Sequence, residues 1–181
     1  MVSYFVLSHP RKPTSAAREA MAREIHEKTG AALIHPFNDA HVIAGQGTAA
    51  LELLEEMASG AGSPDILIAP IGGGGLLAGT ALSVRALLPK AQILGAEPDG
   101  ADDAYRSLKA GKIVRCDEPQ TIADGLRSAA IGERNFAILK NAGAEILTVS
   151  DEEIIAAMHE LSSTLKLVVE PGGAIGLPAL L

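Results

Sequence analysis

Four consecutive glycines, Gly72, Gly73, Gly74 and Gly75, separate two apolar runs, Ile66-Leu67-Ile68-Ala69-Pro70-Ile71 and Leu76-Leu77-Ala78. Glycines cost backbone entropy on folding and add no packing, and a simple turn needs one or two. A run of four lets several backbone N–H groups converge on one ligand with no β-carbon in the way. A helix starting behind them adds its partial positive charge, which makes an anion, and phosphate above all, the natural guest. A tight strand-to-helix turn is the plainer use of the same residues. Residues 66–84 carry no charge and are long enough to cross a bilayer, but Pro70 and the glycines interrupt them and Pro89 follows. The segment therefore predicts a buried strand over 65–70, a loop over 71–75 and a helix over 76–88.

No Lys-Ser/Thr pair follows the glycines, which excludes a Walker A loop. A dinucleotide reading stays open: Gly73-x-Gly75-x-x-Ala78 fits the Rossmann fingerprint, and Glu97 ends the next apolar strand, where a ribose-binding acid belongs.

The rest of the chain alternates in the same way. Short apolar strands are expected over 2–7, 31–34, 91–97 and 145–149. Helices are expected over 14–28, 47–59 (with Leu51, Leu54 and Met57 on one face), 101–110, from the capping box Ser150-Asp151-Glu152-Glu153 towards Pro171, and from about Gly173. Strands apolar on both faces, alternating with helices, predict an α/β fold: a parallel sheet with helices on both sides, its ligands at the carboxyl ends of the strands. With 3% aromatic residues and no Trp, the core is built from Ala, Leu, Ile, Val and Gly. The scarcity of aromatics and a net charge of −7 argue against a nucleic-acid partner. The one cysteine, Cys116, reads as a small buried hydrophobe. With no internal disulfide and no secretory signal at the start, the expected location is the cytoplasm, with no membrane partner.

Several further stretches occur in one order. They are His35-Pro36-Phe37-Asn38-Asp39, Val42-Ile43-Ala44-Gly45-Gln46-Gly47-Thr48, Pro70-Ile71-Gly72-Gly73-Gly74-Gly75-Leu76, Gly95-Ala96-Glu97-Pro98, Thr121-Ile122-Ala123-Asp124-Gly125 and Val169-Glu170-Pro171-Gly172-Gly173-Ala174. Together they resemble the fold-type II pyridoxal-phosphate enzymes, in the branch of serine racemase and the serine/threonine dehydratases. The resemblance implies a truncated tryptophan-synthase-beta-like three-layer fold, with residues 1–34 a remnant of the small lobe and 35–181 most of the large cofactor lobe. It implies pyridoxal 5'-phosphate held by Gly72, Gly73, Gly74, Gly75 and the Leu76 amide. Gly125 would pass beside the cofactor ring and Glu170 would stand at the site wall, where a carboxylate fixed by Pro171 is the simpler role. It also implies a Mg²⁺ or Ca²⁺ site from Glu97, the Ala101 carbonyl and Asp103, hard oxygen ligands of the right kind; charge compensation at a helix N-terminus is the alternative for Asp102 and Asp103.

The family lysine that carries the cofactor precedes all of these motifs, and none of the seven lysines here occupies a matching place. The sequence thus resembles an internal piece of a dehydratase or racemase acting on a small amino acid, with no catalytic residue assigned. A phosphate-binding remnant without catalysis and an NAD-binding domain are the alternatives. Loss of neighbouring lobes would expose apolar surface and favour a homo-oligomer.

Overall fold

The computed structural model describes residues 15–60 and 62–181, and the chain divides into two compact units, Met1–Ile34 and His35–Leu181. In the first, α1 spans Ser15–Thr29 and stops at Gly30, whose φ of 69° favours a residue without a β-carbon. The amide of Gly30 closes the helix on the His26 carbonyl at 2.8 Å. Residues 31–34 are not the strand their apolar character predicts: they pair with no ladder among the described residues. The strand expected over 2–7 lies outside the described residues.

The second unit contains α2 (Ala40–Ala58), β1 (Ile66–Pro70), α3 (Gly75–Leu87), β2 (Gln92–Pro98), α4 (Asp103–Ala110), α5 (Glu133–Ala142), β3 (Glu145–Val149), α6 (Asp151–Leu165) and α7 (Pro171–Ala174). The three strands form one parallel sheet in the order β1-β2-β3, with Ala69 opposite Gly95 and Ala96 opposite Leu147. Side chains alternate across it. Leu67, Ala69, Ile93 and Ile146 join Ile43, Leu77, Ala81 and Leu139 in one core beneath α2, α3 and α5. Ile68, Ala96 and Val149 meet Ile154 and Ile175 in a second core beneath α6 and α7. The predicted three-layer α/β arrangement is the one observed.

Several elements differ from the sequence reading. Helix α2 begins well before residue 47, because the Asp39 carboxylate accepts from the amides of His41 and Val42 and caps it there. Its buried face is Ile43, Gly47, Ala50 and Leu54, and Leu51 is 37% exposed. Gly47 lies inside this helix because α3 crosses it at Gly79. Residues 99–101 form a short 3₁₀ turn rather than the start of α4. Helix α5 has no sequence signal of its own, since Gly132 stands at its N-cap and the capping side chain is distant in sequence: Asn38 Oδ1 accepts from the Arg134 amide at 3.0 Å. Helix α6 is capped by Ser150 and Glu153 as expected, but ends at Leu165, where Lys166 adopts a φ of 58°. Val168 and Val169, in phase with that helix in sequence, lie beyond its end, and Val168 is almost fully exposed.

Candidate active site

The chain leaves β1 at Pro70 and enters α3 at Gly75, so the glycines lie at the carboxyl end of a sheet strand and the amino end of a helix. Gly74 caps α3 at a φ of 88° with no side-chain hydrogen bond. Among the described residues, none of the amides from Gly72 to Leu76 donates to a protein acceptor. Unclaimed N–H groups at a helix start are anion donors. The loop is tightly seated: a β-carbon on Gly73 would overlap the Phe37 ring, and one on Gly72 would stand 3.0 Å from the Leu126 Cα. Phe37 is itself fixed by His35, which it meets edge-on at 4.5 Å between ring centres. The Nδ1 of His35 accepts from the Asn38 amide at 3.0 Å.

These residues border a cleft of about 540 Å³ whose walls also include Gln46, Gly125, Leu126, Glu170, Gly172 and Gly173. That volume suits a small cofactor with a substrate. Opposite the loop, Asp151 ties residues 121–122 to the start of α6. It accepts from Thr121 Oγ1 at 2.6 Å and from the Ile122 amide at 3.0 Å. Arg127 Nε donates to the Thr121 carbonyl at 2.8 Å and closes the turn that presents Gly125. Glu170 precedes Pro171 at the start of α7, and its Oε1 lies where β-carbons on Gly125 and Gly172 would stand 4.0 and 3.5 Å away. All seven residues expected to touch the cofactor, Gly72 to Gly75, Leu76, Gly125 and Glu170, therefore border one cleft. Among the described residues no lysine borders it.

The expected cation ligands lie elsewhere, at the start of α4. Glu97 is fully buried, and its two oxygens accept from the amides of Ala104 and Tyr105, each at 2.8 Å. Burial pushes its carboxyl up to about 8 despite those bonds. Asp103 is also fully buried, and neither of its oxygens has a hydrogen-bond partner among the described residues. Burial raises it to about 7, only partly offset by the Ile131 amide and its own, whose geometry falls short of hydrogen bonds. Asp102 instead pairs with Arg106 at 2.8 Å. No cluster of three or more His, Cys, Asp or Glu side chains occurs among the described residues, so any cation here relies on two carboxylates and a backbone carbonyl. Glu97 does not border the cleft, so the acid that the dinucleotide fingerprint requires is missing from it.

A glycine loop feeding a helix at the end of a parallel strand thus shares one cleft with Gly125 and Glu170, and no dinucleotide acid borders it among the described residues. The profile of the family described as "Pyridoxal-phosphate dependent enzyme" matches residues 5–181, and the chain belongs to that family. It is 47% identical over 165 residues to a serine racemase of Oryza sativa subsp. indica, covering 91% of this chain and 47% of that one. It is 46% identical over 159 residues to an L-threo-3-hydroxyaspartate ammonia-lyase of Saccharomyces cerevisiae, covering 88% and 48%. Among solved structures, a threonine deaminase of T.th. superposes with a TM-score of 0.90 at 51% identity, covering 94% of this chain and 56% of that one. The chain thus spans about half the length of the curated relatives it matches. Membership of this family replaces the NAD-binding alternative.

One residue that shapes the loop gave no sequence signal. Asn135 of α5 is fully buried behind the glycines, 62 positions away in the chain from the carbonyl of Gly73 that it holds.

Proposed function

We propose that the cleft holds pyridoxal 5'-phosphate by its phosphate, in a protein acting as an ammonia-lyase or racemase on a small hydroxy amino acid, as its relatives' names describe. The observation that carries this reading is the set of unclaimed amides from Gly72 to Leu76 at the start of α3. They donate to the phosphate oxygens, and the α3 N-terminus adds its positive end. Gly125 lets the opposite wall approach the ring closely, and Glu170 supplies an acceptor at that wall. When bound, the cofactor supplies an electron sink for charge developing at the amino acid Cα. Residues 35–181 are most of the large cofactor lobe in this reading, and 1–34 are a remnant of the small lobe. The test is equilibrium binding: pyridoxal 5'-phosphate binds and pyridoxal, without the phosphate, binds far more weakly. Equal affinities would remove the reading.

A second reading, phosphate binding without turnover by these residues, has one observation in its favour: among the described residues no lysine borders the cleft. Incubation of the 181-residue chain with cofactor and L-serine tests the second reading: 2-oxo acid or D-serine well above the background of free cofactor removes it.

Glu97, the Ala101 carbonyl and Asp103 are proposed as a Mg²⁺ or Ca²⁺ site. The two partnerless oxygens of buried Asp103 support it, since a cation would satisfy both. Self-association is proposed through the outer face of α3, where Leu82 and Leu87 are each 51% exposed, and sedimentation velocity tests it. No helix among the described residues is long and apolar enough to cross a membrane.

A further inference from the structure

The glycine loop is held from behind by a side chain that does not border the cleft. Asn135, in the first turn of α5, is fully buried. Its Nδ2 donates to the Gly73 carbonyl at 2.7 Å and to the Phe37 carbonyl at 2.9 Å. The Gly73 carbonyl takes a second bond from the Gly132 amide at 3.1 Å. Both acceptor residues border the cleft, while Asn135 and Gly132 do not.

The peptide plane carries the consequence. No cis bond occurs among the described residues, and a trans peptide sets its N–H opposite its C=O. Two donors hold the Gly73 carbonyl on the α5 side, so the N–H of Gly74 in the same plane points the other way, and Gly74 borders the cleft. The Phe37 bond locks the segment whose ring packs against Gly73. Packing alone does not explain the choice of residue. The Oδ1 of Asn135 is buried with no donor among the described residues, a cost that an apolar side chain of similar size would avoid. What the amide adds over such a side chain is its two donated N–H bonds.

We propose that Asn135 is a positioning residue for the phosphate cradle, aiming the Gly74 amide by holding the Gly73 and Phe37 carbonyls. This rests on the reading of residues 72–76 as a phosphate site. The test uses the 181-residue chain, titrated with inorganic phosphate, pyridoxal 5'-phosphate and pyridoxal, with the ¹⁵N–¹H resonance of Gly74 followed. Asn135→Leu keeps the volume and removes both donors; Asn135→Thr returns one. Phosphate and pyridoxal 5'-phosphate are expected to bind Asn135→Leu about ten-fold more weakly, the scale of one lost charge-assisted hydrogen bond. The Gly74 shift shrinks with that loss, pyridoxal affinity is unchanged, and Asn135→Thr recovers part of both signals. A residue that merely stabilised the fold would lower the melting temperature and leave the phosphate preference and the Gly74 shift intact, and that result overturns the proposal. Should Asn135→Leu not fold, Asn135→Thr decides: an affinity intermediate between pyridoxal's and the wild-type value supports the proposal, and a wild-type affinity overturns it. If the wild-type chain binds neither phosphate compound, the cleft reading and this proposal fall together.

Discussion

Gly47 and Gly79 meet backbone to backbone where α2 crosses α3. A β-carbon on Gly47 would stand 2.9 Å from the Gly79 carbonyl oxygen, and one on Gly79 would stand 2.5 Å from the Gly47 amide nitrogen. The Ser83 hydroxyl closes the crossing by donating to the Gly47 carbonyl at 2.9 Å. Because backbone cannot step aside as a side chain can, Gly79→Ala is expected to destabilise the fold by about 3 kcal/mol, the upper range for overpacking. Urea denaturation monitored by circular dichroism checks this. A loss well under half that size would mean that the helices part easily.

The two buried carboxyls beneath α4 give the metal-free fold a definite pH dependence. Asp103 is raised from 3.8 to about 7 and Glu97 from 4.5 to about 8, both chiefly by burial. A group that holds its proton more tightly folded than unfolded stabilises the fold while it is protonated. That stabilisation is full below the unfolded values near 4 and is lost as pH climbs through 7 and 8. The metal-free chain is therefore expected to melt at a lower temperature at about pH 8.5 than at about pH 5.5. Asp103→Asn should flatten the trend. A melting temperature that rises over the same interval contradicts the assignment.

A cation bound between the same groups needs them ionised, so its effect runs the other way. Millimolar Mg²⁺ or Ca²⁺ is expected to raise the melting temperature more at about pH 8.5 than at about pH 5.5, by mass action on the folded state. Asp103→Asn should abolish most of that response. An unchanged melting curve across millimolar Ca²⁺ removes the cation site.

Local chemistry explains which parts of this molecule were legible in its sequence. The Ser150 and Glu153 capping box is written in four adjacent residues, and both of its reciprocal bonds form. The strand–glycine–helix segment is equally local. By contrast, α5 begins at a glycine and takes its capping side chain from distant Asn38, and residues 31–34 carry strand-like apolar character but join no ladder among the described residues. The end of α6 turns on a single lysine in the left-handed region, which no pattern announces. Within the site, the motifs located the glycines, Gly125 and Glu170, but not Asn135. Its role depends on carbonyls 62 and 98 positions away, a relationship that exists only after folding.

Among the described residues the cleft has no lysine wall, so the 181-residue chain is expected to bind cofactor without appreciable turnover. A positioned general base is typically worth roughly 10²–10⁴ in rate. With L-serine or L-threonine, 2-oxo acid formation should match that of free cofactor alone. Turnover well above that background would show that a lysine of this chain, or of an associated one, reaches the cleft.

Gly74→Asp tests whether the loop from Gly72 to Leu76 holds a phosphate. The substitution places a carboxylate beside the proposed anion and a β-carbon at a φ of 88°. Isothermal titration of pyridoxal 5'-phosphate into both forms, with circular dichroism to confirm that each is folded, is the measurement. The wild-type chain is expected to bind, inorganic phosphate to compete, and both signals to be lost in folded Gly74→Asp. Equal binding by the two folded forms, or wild-type binding that inorganic phosphate does not disturb, would contradict phosphate binding by the loop.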